Sequence, residues 1–146
     1  MLSVIVEATD AGDRLPALLA ALTSAAVDGL VREVLIVGGG PAELLEVLRE
    51  ETGAELAQDL AEAIRLARSE RLLVMPATIR LRGGWLEKLG GHVRSSADDA
   101  LIVGEGSAFM GRSYGLLMAR TAASGLVRSD LKHLRGKLGR GAARLA

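Results

Sequence analysis

The most suggestive chemistry in this sequence is a run of three glycines, Gly38 to Gly40, between a short apolar segment and a helical pattern. Glycines let a backbone approach a phosphate closely, and the start of a helix offers unpaired amide groups and a positive dipole. The run is followed by Pro41 and matches neither the GxGxxG dinucleotide fingerprint nor the GxxxxGK[ST] phosphate loop. Two interpretations therefore stay open, a tight structural turn and a loop that binds a ligand.

Cysteine and histidine, which supply many metal ligands and catalytic nucleophiles, are scarce in this chain. It has no cysteine, which excludes disulfides, thiolate zinc sites, iron–sulfur clusters and cysteine nucleophiles. Its two histidines, His92 and His133, are far apart, so a histidine centre would need carboxylates to complete it. The composition therefore argues against a histidine-based metalloenzyme.

Alternating strand and helix patterns surround the glycine run. Short apolar runs predict buried strands, and leucines at helical spacing after them predict helices. Such alternation implies parallel strands with right-handed crossovers, so the predicted fold class is α/β, a mostly parallel sheet sandwiched by helices, in one domain of residues 1–146. The predicted strands are Leu2 to Val6, Glu33 to Val37 and Leu72 to Met75, and a helix is predicted over Ala57 to Arg68.

The patterns are weaker after Gly83. Trp85 to Val93 predicts a helix, Ala100 to Val103 predicts a strand, and Tyr114 to Met118 predicts a further strand or edge element. Leu126 to Leu138 places leucines near one face and basic residues elsewhere. This pattern predicts a basic amphipathic helix near the end of the chain.

Charge is unevenly distributed although the formal net charge is zero. Residues 1–111 carry ten basic and seventeen acidic side chains, whereas residues 112–146 carry eight basic and one acidic. The basic tail could contact anionic lipid head groups, or it could fold back on the acidic body. The sequence contains few aromatic residues and no recognised nucleic-acid motif, so nucleic acid is not predicted as a partner.

Membrane insertion and secretion are not predicted from this sequence. Its apolar runs are far shorter than the roughly 20 residues of a membrane-spanning helix. The first residues also lack the basic region that begins a secretory signal. We therefore expect a cytoplasmic protein without a transmembrane segment.

Three segments, taken in order, resemble a known family. They read LSVIVEATDAGDRLPALLAAL, VREVLIVGGGPAELLEVLREETGA and ARSERLLVMPATIRLRGGWLEKL, and they lie in roughly the first 90 residues. This part looks like the nucleotide-binding half of family 2 glycosyltransferases, which have the Rossmann-like GT-A fold. The resemblance implies a truncated GT-A-like domain with a nucleotide-sugar-binding half, residues 1–90, and a shortened acceptor-side half, residues 91–146.

The resemblance also implies where a nucleotide sugar would bind, and the chain departs from the family there. Gly38 stands where the family has an aspartate that bonds the nucleobase. Pro76, Ala77 and Thr78 stand where it has the metal-binding Asp-x-Asp element. We therefore expect a glycosyltransferase-like protein with impaired or lost catalysis. The implied nucleotide-sugar-binding positions are Glu7, Ala8, Thr9, Asp10, Gly38, Gly39, Gly40, Thr78 and Arg80.

The missing carboxylates determine what this site could do. In the family Mg²⁺ or Mn²⁺ neutralises the diphosphate, and such hard cations need oxygen ligands, preferably carboxylates. We predict no metal site unless Glu7, Asp10 or Glu43 substitutes. Without a metal, Arg80 or Arg82 would have to neutralise the leaving group, although both also fit an ordinary solvated loop.

The sequence leaves open the identity of a catalytic base and also a role that involves no catalysis. An inverting transferase needs a carboxylate base, for which Asp10 and Asp130 are the candidates, although an ion pair on a helix surface explains Asp130 equally well. The alternative is a non-catalytic interaction or regulatory module, built as a homodimer or with another protein partner. A shortened second half would leave apolar surface uncovered, and Leu116, Leu117 and Met118 are the candidates for that surface.

Overall fold

The computed structural model describes residues 1–8, 15–38, 42–105, 114–123 and 143–145. Within these ranges the chain forms a seven-stranded sheet with helices on both faces, which confirms the predicted α/β class. The elements are β1 (Leu2–Glu7), α1 (Leu15–Val27), β2 (Val31–Val37), α2 (Ala42–Thr52), β3 (Glu55–Ala57), α3 (Leu60–Leu66), β4 (Arg71–Pro76), α4 (Trp85–Ser95), β5 (Ala100–Val103), β6 (Tyr114–Ala119), α5 (Arg120–Ala123) and β7 (Ala143–Leu145).

The strands are arranged in the order β3-β2-β1-β4-β6-β5-β7. Strands β1 to β4 run parallel to one another, and β6 runs antiparallel to both β4 and β5. Strand β5 therefore points the same way as β1, and β7 runs parallel to β5. As a result, β1, β2, β4 and β5 all end at one edge of the sheet, which we call the carboxyl edge. The opposite edge is the amino edge.

The two faces of the sheet carry separate cores because successive side chains of a strand point to opposite faces. On one face, Val4 and Leu73 pack with α1 and α4 to form the first core. On the other face, Ile5 and Val74 pack with α3 and α5 to form the second core. Burial on both faces explains why β1 and β4 are continuous apolar runs rather than alternating patterns.

Two sequence expectations differ from the structure. The helix predicted over Ala57 to Arg68 is shorter, because Asp59 caps α3 by accepting a hydrogen bond of 2.8 Å from the amide of Glu62. The preceding residues instead form β3, whose Ala57 pairs with Val37. Residues Leu126 to Leu138, predicted as a basic helix, lie outside the described residues.

The apolar surface expected at Leu116, Leu117 and Met118 is a wrong prediction. All three residues are at most 2% exposed, because β6 lies inside the sheet between β4 and β5. Leu117 belongs to the first core, and its two neighbours belong to the second. This segment therefore offers no surface for association.

A buried polar network joins three strands at the amino edge. The Ser3 hydroxyl, fully buried in β1, donates a 2.6 Å hydrogen bond to the Glu33 carboxylate of β2. The same hydroxyl accepts a 3.0 Å bond from the amide of Ser69, just before β4. The Glu33 carboxylate also accepts a 2.6 Å bond from the amide of Arg68. One hydroxyl thus connects the starts of β1, β2 and β4.

We expect Ser3→Ala to lower the free energy of unfolding by about 1–2 kcal/mol. The substitution leaves the buried Ser69 amide without its acceptor and removes a donor from Glu33, and such losses cost about this much. Urea denaturation followed by circular dichroism measures the change. Ser24→Ala, at an exposed position of α1, is the matched control and should leave stability unchanged or slightly raised. Equal stabilities of the two variants would contradict a stabilising role for the network.

Candidate functional site

The ends of β1, β2 and β4 are bonded together at the carboxyl edge. The amide of Ala8, one residue past β1, donates a 2.9 Å hydrogen bond to the carbonyl of Val37 at the end of β2. The amide of Ala77, one residue past β4, donates a 2.8 Å bond to the carbonyl of Glu7. The structure therefore places Glu7, Ala8 and Ala77 side by side, because these bonds continue the parallel ladder past the strand ends.

The glycine that follows β2 has a backbone reason for its identity. Gly38 has a φ of +71°, in the left-handed region that side chains other than glycine rarely adopt. Its amide donates a 3.4 Å hydrogen bond to the carbonyl of Ala57 in β3. At Gly38, the first residue of the run, the backbone conformation therefore favours the interpretation as a structural turn. Gly39 and Gly40 lie outside the described residues, as do Thr9, Asp10 and Asp130.

A tight turn follows β4 where the family resemblance implies a metal-binding motif. The amide of Ile79 donates a 3.1 Å hydrogen bond to the carbonyl of Pro76, which reverses the chain over Ala77 and Thr78. Ala77 is 1% exposed, whereas Thr78 is exposed. The turn therefore carries a neutral hydroxyl at the carboxyl edge, at the position where the resemblance implies a carboxylate.

The loop after β4 is hydrogen-bonded to Glu105, the second residue after β5. The amide of Glu105 donates a 2.7 Å hydrogen bond to the carbonyl of Arg80, and both side chains are exposed. Sequence reasoning did not select Glu105. Nothing local in GEGS identifies it, because its place depends on a sheet order that is not encoded near it. It adds a carboxylate beside the Arg80 loop.

The described residues do not form a metal site. In the part of the chain that the structure describes, no group of three or more His, Cys, Asp or Glu side chains could hold a metal ion. Glu7 lies at the end of β1, and Glu43 is exposed in the first turn of α2. A hard cation prefers several oxygen ligands, so the described carboxylates do not fit Mg²⁺ or Mn²⁺.

A pocket of about 310 Å³ lies next to the carboxyl edge, on the face of the sheet that carries the first core. It is bounded by α1 on one side and by the segment from Ile79 to Trp85 on the other. Leu18 and Ile79 are buried, while Trp85 is half-buried at the start of α4. The side chain of Trp85 therefore packs against the first core and also lines a cavity.

Comparisons with known proteins support the architecture through structure alone. The sequence matches no protein-family model and has no significant match among curated proteins. Glucosyl-3-phosphoglycerate synthase from Mycobacterium tuberculosis, solved with UDP, is similar with a TM-score of 0.60 at 13% identity over 84% of this chain and 58% of that one. TarS 1-349 from S. aureus, solved with UDP-GlcNAc, is similar with a TM-score of 0.55 at 17% identity, over 75% and 36%. The chain has a GT-A-like fold.

This GT-A-like chain spans well under two thirds of both of those structures. It covers more of a third protein, 4-diphosphocytidyl-2C-methyl-D-erythritol synthase from Anaerococcus prevotii, with a TM-score of 0.60 at 12% identity over 99% of this chain and 86% of that one. Identities this low show the fold and leave the ligand to be argued from the site. In the described part of the chain, no helix has the length and apolar character needed to cross a membrane.

Proposed function

We propose that the carboxyl edge of this GT-A-like chain binds a nucleoside diphosphate or a nucleotide sugar. The observation that carries the proposal is the joining of the β1, β2 and β4 ends by the amides of Ala8 and Ala77. Glucosyl-3-phosphoglycerate synthase and TarS, which share this fold, were solved with UDP and UDP-GlcNAc. In an α/β sheet of this kind, ligands bind at the carboxyl ends of the strands.

The side chains at this edge favour binding without strong recognition of the base. Ala8 is 1% exposed and Gly38 has no side chain, so neither residue offers a side-chain hydrogen bond to a nucleobase. Thr78 contributes one hydroxyl, and Arg80 contributes a guanidinium suited to phosphate oxygens. We therefore propose moderate affinity for the diphosphate and weak discrimination between UDP and GDP.

The described carboxylates at this edge support impaired or lost sugar transfer. The described carboxylates do not fit the metal that family 2 enzymes use to neutralise the leaving diphosphate, so no step is assigned to a metal. Asp10 and Asp130 stay the proposed candidates for a base. The division into a nucleotide-binding half, residues 1–90, and an acceptor-side half, residues 91–146, is part of this proposal, as is a cytoplasmic location. For the basic tail, contact with anionic lipid and folding back on the acidic body both stay open.

Isothermal titration with UDP, GDP and UDP-GlcNAc, each with and without Mn²⁺, tests the proposal. We expect saturable binding of UDP whose affinity changes less than twofold when Mn²⁺ is added, because no group of three or more described carboxylates could hold the ion. Thr78→Tyr should weaken binding by placing a ring over the turn after β4. Thr121→Tyr, at an exposed position of α5, is the matched control and should bind normally.

No heat of binding at millimolar nucleotide from a folded protein would overturn the proposal. The alternative of a homo-oligomeric interaction module was based on exposure of Leu116, Leu117 and Met118, which the sheet buries. Light scattering on the same sample reports the oligomeric state directly. A stable oligomer that binds no nucleotide would favour the interaction module.

A further inference from the structure

The pocket between α1 and the segment 79–85 has the size of a small-ligand site. Its volume of about 310 Å³ lies at the lower end of the range of roughly 300–1,000 Å³ that is typical of such sites. It is positioned over the first core, with the early turns of α1 on one side and the loop after β4 on the other. Its floor is apolar, because it is formed by the side chains of Leu18 and Ile79, each only 5% exposed.

The walls of this pocket combine an aromatic ring with a cation. Trp85, half-buried, and Leu81 supply apolar surface, and Arg80 supplies an exposed guanidinium. Among the described residues, no carboxylate lies within ion-pair distance of Arg80. A guanidinium forms paired, charge-assisted hydrogen bonds with carboxylate, sulfonate or phosphate groups. A ligand that fits these walls therefore has an apolar ring and one anionic group.

Backbone hydrogen bonds hold the segment 79–85, which lines the pocket, at Ile79, Arg80 and Trp85. Ile79 donates to Pro76 over 3.1 Å, and Trp85 donates to the carbonyl of Arg82 over 3.1 Å. Between them, the carbonyl of Arg80 accepts a 2.7 Å bond from the amide of Glu105. These bonds fix the segment before any ligand arrives. A pre-formed pocket binds with a smaller loss of conformational entropy than a mobile loop does.

We propose that this pocket binds a small molecule that carries an apolar ring and a single anionic group. The pocket shares Arg80 with the nucleotide site proposed at the carboxyl edge, but its apolar walls lie over the first core, between α1 and Trp85. The proposal does not depend on the proposed nucleotide binding, and its test uses no nucleotide as the primary ligand. The ring would pack against Trp85, and the anion would pair with Arg80.

The test uses the intrinsic fluorescence of Trp85, which is the only tryptophan in the chain. The probe is 8-anilino-1-naphthalenesulfonate, an aromatic anion, and the comparison ligand is N-phenyl-1-naphthylamine, which has the same rings without the sulfonate. We expect saturable quenching of Trp85 by both, with tighter binding of the anion. Arg80→Gln should weaken binding of the anion about tenfold and change binding of the neutral compound less than twofold. Arg82→Gln, in the same loop but not lining the pocket, is the matched control.

A second variant tests the cavity rather than the charge. Ala21→Leu places extra volume in the pocket from α1 and should abolish quenching by both compounds, whereas Ala20→Leu, exposed on the same helix, should not. Circular dichroism confirms that each variant is folded. Quenching that survives both Arg80→Gln and Ala21→Leu would place the probe elsewhere and overturn the proposal. Displacement of the neutral compound by UDP would also overturn it, because that compound does not use Arg80 and the apolar walls would then belong to the nucleotide site.

Discussion

A Thr78→Asp variant is expected to bind UDP about thirtyfold more tightly with Mn²⁺ than without it, a difference of roughly 2 kcal/mol. Thr78 stands in the turn after β4, where the resemblance to family 2 glycosyltransferases implies a metal-binding carboxylate. The residue is exposed, so a new carboxylate stays hydrated in the free protein and is not penalised by burial. A carboxylate and a diphosphate together offer Mn²⁺ the oxygen ligands that a neutral hydroxyl does not.

The control for this variant is Thr78→Asn, which has nearly the same shape as aspartate without the charge. Isothermal titration of both variants with UDP, at several Mn²⁺ concentrations, separates charge from shape. If the Asn variant gains the same Mn²⁺ dependence, the metal is held by other residues. If both variants bind UDP but neither responds to Mn²⁺, the turn after β4 does not face the diphosphate. If neither variant binds UDP, the proposed function itself fails.

The first half of the fold was predictable because its strands are buried on both faces. A strand covered by helices on both sides is a continuous apolar run, and such runs at β1, β2 and β4 stand out against the amphipathic patterns of α1 and α2. Parallel order then follows from the alternation of strands and helices. The resemblance to the GT-A fold depended on these same segments, which is why the structural comparisons bear it out.

The short strand β3 could not be predicted from its own residues. Glu55–Ala57 is three residues long, too short for an alternating or continuous apolar pattern, and it precedes a strongly helical segment. The signal that could have separated them is Asp59, a residue type that favours helix N-caps and is followed three residues later by Glu62. That pattern begins α3 at Leu60 and leaves Ala57 free to pair with β2.

In the second half, the helix from Trp85 and the strands at Ala100 and Tyr114 are confirmed, but the order of those strands was not predictable because strand order is a tertiary property. The apolar run from Leu116 to Met118 has the same sequence pattern whether its strand is the outermost strand or an inner strand of the sheet. Insertion of β6 between β4 and β5 buries it. Because β6 is antiparallel to both neighbours, β4 and β5 end on the same side of the sheet, where Glu105 bonds to the loop after β4. The position of Glu105 depends on that arrangement, so it was not predictable from the sequence.

The central position of β4 gives the largest expected effect on stability. Leu73 is fully buried in the first core, where it pairs with Val4 of β1 on one side and Leu117 of β6 on the other. We expect Leu73→Ala to lower the free energy of unfolding by about 2–5 kcal/mol, through lost burial and the cavity that it leaves. Urea denaturation followed by circular dichroism measures the loss.

Because Gly115 is a neighbour of Leu73, we expect the loss of stability in Leu73→Ala to lie in the upper part of the range of about 2–5 kcal/mol. A Cβ atom added at Gly115 would lie 3.6 Å from Leu73 Cδ1, so the natural chain has no side chain at position 115 that could fill the space left by a shorter residue. Backbone within a paired strand moves less readily than a side chain, so the cavity left by Leu73→Ala should collapse little. Leu66→Ala, at a position 38% exposed on α3, is the matched control and should cost much less. Equal losses for the two variants would contradict a central β4 and, with it, the sheet order that positions the candidate site.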